Sequence, residues 1–323
     1  MRIFGSAVVA LTTLFFGPGY AADIQVVETP APVQQLVKSS DGVFVKTNAG
    51  SFRLKSCAGK PVCLTRSPIT GELPTAPDIG LPDGQVAVAA KGDLRRAWYG
   101  RPTRRYGHAV LGDDLEAGSL VAEDDQGRHY ELLLDRSYVF EDITPRIFDL
   151  DRDGHNEIIT IRSSLNSGAA IAIYGLEDGA LKLLAATPEI GRSHRWLNIA
   201  GIGDFPGAGV NAIAWVETPH IGGVLRMGVF NGRDIEIFSN SYRGFSNHFI
   251  GSRELGLSAI GDFNGDGVPD LAIPSAGRAS MVIATRLGLT SIELPGRVGH
   301  AVAAIGNRIV TADTEGNLIV IHP

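Results

Sequence analysis

Two nine-residue stretches carry the most explicit chemistry in this chain: DLDRDGHNE, from Asp149 to Glu157, and DFNGDGVPD, from Asp262 to Asp270. Both follow D-x-[DN]-x-[DN]-G-x-x-[DE]. Alternate oxygen-bearing side chains on a tight loop converge on one hard cation, and the glycine at position six permits the reversal that returns position nine to the site. Ca2+ is the expected ion, two in all and structural in role. Asp149, Asp151, Asp153 and Glu157 are the predicted ligands of the first loop, with the carbonyl of His155. Asp262, Asn264, Asp266 and Asp270 are those of the second, with the carbonyl of Val268. An EF-hand needs a glutamate at position twelve and flanking helices. Thr160 and Ile273 stand there instead, and the flanks read as strands. The competing reading is that these Asp and Asn side chains only cap turns.

The elements that position such loops show a period of two. GVFVKT at Gly42, EIITI at Glu157, AIAIYG at Ala170, VLRMGVF at Val224, MVIAT at Met281 and NLIVI at Asn317 are short runs bounded by Gly, Asn and Asp turns, which predicts antiparallel strands and hairpins. The chain has 40 glycines and 17 prolines, 57 of 323 residues, roughly 18% against a typical ~12%, so tight turns prevail over long helices. The fold class is all-β.

Three segments repeat: RIFDLDRDGHNEIITI from Arg146, AGIGDFPGAGVNAIAWV from Ala200 and SAIGDFNGDGVPDLAIP from Ser258. Their leading aspartates, Asp149, Asp204 and Asp262, lie 55 and 58 residues apart, a spacing that suits four short strands plus turns. The middle copy has Pro206, Ala208 and Ala212 at ligand positions, and is expected to keep the turn without a metal. Weaker units near Asp41, Asp83, Gly107 and Gly299 bring the count to seven. The last unit is one strand short, and DIQVVE from Asp23 is expected to complete it. These loops and their strand contexts resemble the FG-GAP or VCBS repeats of integrin alpha-subunit propellers and of many exported bacterial proteins. The motif match covers about residues 140–275. The resemblance implies a single seven-bladed β-propeller over 23–323, calcium between the first two strands of a blade, and a binding or scaffolding role.

In such a ring the opposite face is built by loops between blades and between second and third strands. GRSHRW from Gly191, ETPHIGG from Glu217, YRGFSNHFIGSRE from Tyr242 and PSAGR from Pro274 occupy those positions. They place His194, Arg195, Trp196, His220, Asn247, His248, Arg253 and Arg278 around one mouth, with Arg105 and His108 beside them. Arginine forks suit carboxylate or phosphate, and a tryptophan face suits a sugar. A polar or anionic glycan, or a protein, is the expected ligand. The alternatives are a polysaccharide lyase or hydrolase using His194, His248 and Arg253, and a purely structural assembly partner.

The rest of the sequence bounds these readings. Met1 and Arg2, an apolar run from Ile3 to Phe16 and small residues to Ala22 read as a signal peptide over 1–22, with no membrane span once it is removed. The protein is expected in the periplasm or outside the cell, as a monomer. Export makes a disulfide between Cys57 and Cys63 the natural state of the only two cysteines. A formal charge of -6 leaves no basic field for nucleic acid.

Overall fold

The computed structural model describes residues 22–238 and 242–323, and the described chain is all-β. The segment 1–22 read as a signal peptide lies outside the described residues except for Ala22, and no described helix is long and apolar enough to cross a membrane. β1 (Asp23–Val27) precedes a meander of β2 (Val33–Ser39), β3 (Gly42–Thr47), β4 (Gly50–Cys57) and β5 (Lys60–Arg66), in which the expected Cys57–Cys63 disulfide crosses the β4–β5 hairpin. β6 (Ala87–Val88), β7 (Leu94–Thr103), β8 (Glu116–Asp124) and β9 (His129–Leu133) form a second meander. β10 (Tyr138–Phe140) and β11 (Arg146–Phe148) share one side of β12 (Glu157–Ser164), which continues into β13 (Gly168–Glu177) and β14 (Ala180–Ala186). Phe140 opposite Ala117 joins the second and third meanders into one nine-stranded sheet.

A fourth meander holds β15 (Leu197–Gly203), β16 (Ala212–Glu217), β17 (Val224–Phe230) and β18 (Ile235–Ile237), with β19 (Tyr242–Arg243) also on β17. The fifth holds β20 (Ala259–Gly261), β21 (Asp270–Pro274), β22 (Ser280–Thr285) and β23 (Gly288–Glu293). β24 (Ala303–Ile305), β25 (Arg308–Ala312) and β26 (Leu318–His322) form the sixth, and β1 supplies its fourth strand, Asp23 opposite His322 and Val27 opposite Leu318. The described strands thus fall into six meanders, where the sequence units suggest seven. The units near Asp83 and Gly107 belong to one meander: the first supplies only the two-residue β6, and the start of the second is the loop 104–115 between β7 and β8.

The packing explains the strand sequences. Inner strands such as β13 and β21 are buried on both faces, so GAAIAIYG, and LAIP after the loop residue Asp270, are continuously apolar or small. Outer strands such as β9 and β14 alternate between exposed and covered residues and carry the polar positions that blunt an edge. Neighbouring meanders share cores: Val45 and Leu36 with Val310 and Val320, Ile283 with Ile319, Ala214 with Ile273, and Ile159 and Leu120 with Trp215. The whole is a propeller-like series of antiparallel sheets. A cavity of about 520 Å3 is lined by Leu36, Gln85, Thr144, Leu255 and Ala301 among others, the leading segments of five meanders.

Candidate functional site

The carboxylate loops connect the first and second strands of their meanders. Between β11 and β12, Asp149, Asp151 and Asp153 each present an oxygen within 4.8 Å of the others. Asp149 Oδ1 is buried with no hydrogen-bond partner. Glu157 closes the loop by accepting the Leu150 N–H through Oε2 at 2.7 Å. Its burial, with the aspartates adding to it, pushes its carboxyl up to about 7. Convergent negative charge and an orphaned buried oxygen are what a hard cation relieves, so these residues fit Ca2+. The His155 ring turns outward to Asp93, Nδ1 to Oδ2 3.1 Å, which leaves only its carbonyl as a donor to the loop.

The second loop, between β20 and β21, is organised differently. Asp262 accepts the N–H groups of Gly265, Asp266 and Gly267. Asn264 accepts that of Asp266, and Asp266 accepts that of Val268 while pairing with Arg286 at 3.0 Å. Asp270 accepts from Phe263 and Asn264, leaving a buried Oδ1 without a partner. The middle loop repeats the turn as expected: Asp204 takes the Ala208 and Gly209 N–H groups at 3.0 and 2.7 Å. The second loop thus combines an orphaned ligand oxygen, as in the first, with a leading aspartate satisfied by its own turn, as in the middle one.

At the opposite ends of the same strands lies a cluster rich in imidazole. Gly168, at φ +79°, opens β13 directly after the β12–β13 turn, where a Cβ would stand 2.4 Å from the Arg192 carbonyl. Its absence lets segment 191–196 lie against that turn. Gly223 does the same for segment 244–248, since a Cβ there would meet the Phe245 carbonyl at 1.7 Å. Trp196, buried, donates Nε1–H to the Glu141 carbonyl at 2.9 Å and stacks on His220 with an interplanar angle of 2°. His220 Nε2 and His248 Nδ1 are 2.8 Å apart, and His248 Nε2 meets the Ser252 carbonyl at 2.9 Å. This chain fixes the direction: His248 donates through Nε2 and receives through Nδ1. Burial lowers both histidines to about 4, so both are neutral donors and acceptors at neutral pH. The neighbouring His108 and Arg278 push His220 the same way.

The loop 104–115 brings in residues that the repeat pattern hid. Tyr106 accepts the His194 N–H on its hydroxyl at 2.8 Å, and His194 Nε2 meets the Tyr106 carbonyl at 3.2 Å. Burial pushes the Tyr106 hydroxyl up to about 12, with the Glu141 charge adding to it. His108 Nδ1 lies 2.5 Å from Glu141 Oε1, and Glu141 Oε2 accepts the Ser163 hydroxyl at 2.6 Å. Glu116, at the start of β8, is pushed up to about 7 by burial and has an unpartnered Oε2.

Of the residues predicted for the mouth, Trp196, His220 and His248 come together, with Arg278 close enough to bias His220, while His194 packs on Tyr106 and His108. Arg195 is half-buried, and its carbonyl receives the Ala169 N–H. Two others serve elsewhere. Asn247 is fully buried and exchanges amide-to-carbonyl bonds with Asn198. Arg253 is drawn to Asp83 at 2.7 Å and Asp113 at 2.5 Å. Arg105 likewise bonds the Tyr138 carbonyl. Sequence reasoning missed Tyr106, Glu116 and Glu141. The Tyr-Gly-His triplet at 106–108 was a usable signal, whereas nothing local marks Glu141 apart from other acidic residues.

Comparison with known proteins bears on form alone. No family profile matches the chain, and no curated protein matches it. Among solved structures it is similar to BamB from Moraxella catarrhalis, at 14% identity over 92% of this chain and 74% of that one, with a TM-score of 0.36. It is also similar to the exotype rhamnogalacturonan lyase YesX, at 14% identity over 92% of this chain and 66% of that one, TM-score 0.46. A third is the Bacillus licheniformis rhamnogalacturonan lyase PL11, at 14% identity over 88% of this chain and 65% of that one, TM-score 0.43. The chain spans just under two thirds of each lyase. What this chain does is argued from its own residues.

Proposed function

We propose that this protein is an exported, calcium-stabilised β-propeller of the FG-GAP/VCBS kind, and that it binds a polar or anionic glycan through the imidazole-rich mouth. The observation that carries the binding role is a row of side chains at strand ends opposite the carboxylate loops, with exposed His194 on Tyr106 and His108, and part-exposed His220, beside Arg278, on the buried Trp196 and His248. His194 is exposed and His220 part-exposed, so their ring edges can meet hydroxyls at the rim, and Arg278 offers positive charge on a chain of net charge -6. Ring closure is supported by the pairing of β1 with β26 and by a cavity to which five meanders contribute. On this reading the blades number six, one fewer than the repeats imply. The two carboxylate loops hold one Ca2+ each. The apolar run Ile3 to Phe16 directs export to the periplasm or beyond, where the disulfide persists, and the mature chain works as a monomer.

The test is a binding screen of the chain from Asp23 onward against neutral, uronate and sulfated polysaccharides in millimolar Ca2+, beside a His194→Ala/Arg195→Ala variant. Retention of an acidic polysaccharide by the wild type and its loss from the variant is the expected result. Equal retention by both would move the ligand off this mouth. Retention of no glycan at all would leave a protein partner as the occupant.

A further inference from the structure

The pair formed by His108 and Glu141 is more than a binding surface needs. Resting on the glycan-binding reading of this mouth, we infer that His108 is the base of a β-elimination in a 4-linked uronate chain, with Glu141 as its positioning residue.

The Glu141 side chain is 2% exposed and held at both oxygens, by Ser163 Oγ at 2.6 Å and His108 Nδ1 at 2.5 Å. A carboxylate so placed fixes the proton on Nδ1 and leaves the lone pair on Nε2. That Nε2 makes no hydrogen bond within the described chain, and the imidazole retains 15% exposure. Its ring is flanked by Tyr106 at 5.8 Å and His194 at 5.0 Å between centroids. Its backbone N–H meets Glu116 Oε1 at 3.4 Å. This is an oriented base facing the mouth, backed by a buried acid.

The chemistry follows from what surrounds it. Glycoside hydrolysis uses two carboxyl groups flanking the bond, but Glu116 and Glu141 are both buried, one beneath the His108 backbone and the other behind its ring. Elimination needs one base and a means of neutralising the carboxylate beside the proton removed. Arg278 supplies the second: its guanidinium lies 4.0 Å from the Phe249 ring, and its Nε is buried without a partner. In the step, His108 Nε2 takes the proton on C5 of a uronate held by Arg278. The C5–H electron pair forms the C4–C5 double bond, and the bond from C4 to the glycosidic oxygen breaks, its electrons leaving with the oxygen. The imidazolium then passes that proton to the departing oxygen, which becomes the anomeric hydroxyl of a new reducing end. His108 is neutral again and no other reactant is consumed.

The experiment incubates the chain from Asp23 onward, in millimolar Ca2+, with polygalacturonate, alginate and chondroitin. It follows the ultraviolet absorbance of the conjugated product and measures binding separately by affinity electrophoresis. Absorbance is expected to rise with at least one polymer. His108→Ala should lose about 100-fold or more of the rate while keeping its binding, with a lower melting temperature from the buried Glu141 it leaves short of a partner, and His108→Gln, which can still donate to Glu141, should lose the rate with a smaller fall in melting temperature. Glu141→Gln should lower kcat with little change in KM and shift the rate-limiting base to lower pH, with Glu141→Asp restoring part of the rate. The groups facing His108 in that profile are Glu116, Glu141, Tyr106, His194 and His220, with Arg278 beyond His220. Binding without any absorbance would overturn the elimination and leave the binding role standing. Absence of both would remove both, and full activity in His108→Ala would place the base elsewhere.

Discussion

His220 and His248 face one another through nitrogens 2.8 Å apart, and that contact sets a pH dependence. Their pKa values, lowered to about 4 chiefly by burial, mean that an unfolded chain takes up protons below about pH 6.5 which the native site refuses. The stability they protect is complete above that pH and falls as pH drops toward 4, by about 1.4 kcal/mol per unit of difference for a ring as buried as His248. The partly exposed His220 contributes less. Glu116, pushed up to about 7 by burial, works in the opposite sense: the fold holds its proton below pH 7, which adds stability as pH falls toward its ordinary value. The informative quantity is therefore a difference between proteins. Urea midpoints of the wild type should fall further between about pH 7.5 and 5 than those of a His220→Gln/His248→Gln variant. Parallel falls in the two proteins would mean that the pair does not resist protonation.

β1 belongs to two cores at once, because Ile24 packs on the cluster around Ile319 and Ile321 while Val27 packs on the one around Leu318 and Val320. Removing residues 23–27 would open β26 as a free edge and uncover both, which costs several kcal/mol on the scale of two to three lost buried side chains, each about 1.5–3 kcal/mol. A chain starting at Glu28 should melt well below one starting at Asp23, and self-associate through the bare edge; equal melts would show that β1 contributes nothing to the sixth meander. The pairing of DIQVVE with the C-terminal strand was legible because the last unit lacks a strand. The meander count was not, because strand–turn–strand patterns look alike in an inner hairpin and in a long surface loop. That ambiguity made a unit out of the loop 104–115, which carries Tyr106 and His108. Loops 191–196 and 217–223 do lie at connections between strands, as their sequence positions implied. The place of Arg253 was not implied, since Asp83 and Asp113 that capture it arrive from another meander and leave no local trace.

Across the molecule, the carboxylate loops and the mouth occupy opposite ends of shared strands, so the loops act on the whole fold through its stability. Filling a loop stabilises the native chain by mass action, and for extracellular-type sites with dissociation constants near 10⁻⁴–10⁻³ M, about 10 mM Ca2+ gives roughly 1.4–2.7 kcal/mol per loop. For a chain of this size that is on the order of several degrees in melting temperature. The two loops should not share it equally. In the first, three carboxylates already converge and Asp149 Oδ1 has no partner. In the second, Asp262 is satisfied by its own turn and Asp266 by Arg286, contacts that a cation must compete with. Melting with Ca2+ against chelator should therefore show the larger gain lost in Asp153→Ala, the smaller in Asp266→Ala, and the whole in the double variant, with Mg2+ a poor substitute because nine-residue loops of mixed carboxylate and carbonyl donors suit a larger, more flexible coordination sphere. A wild-type melt that chelator does not move would eliminate the proposed ions. Equal losses in the two single variants would show that the turn contacts of the second loop yield to the metal without cost.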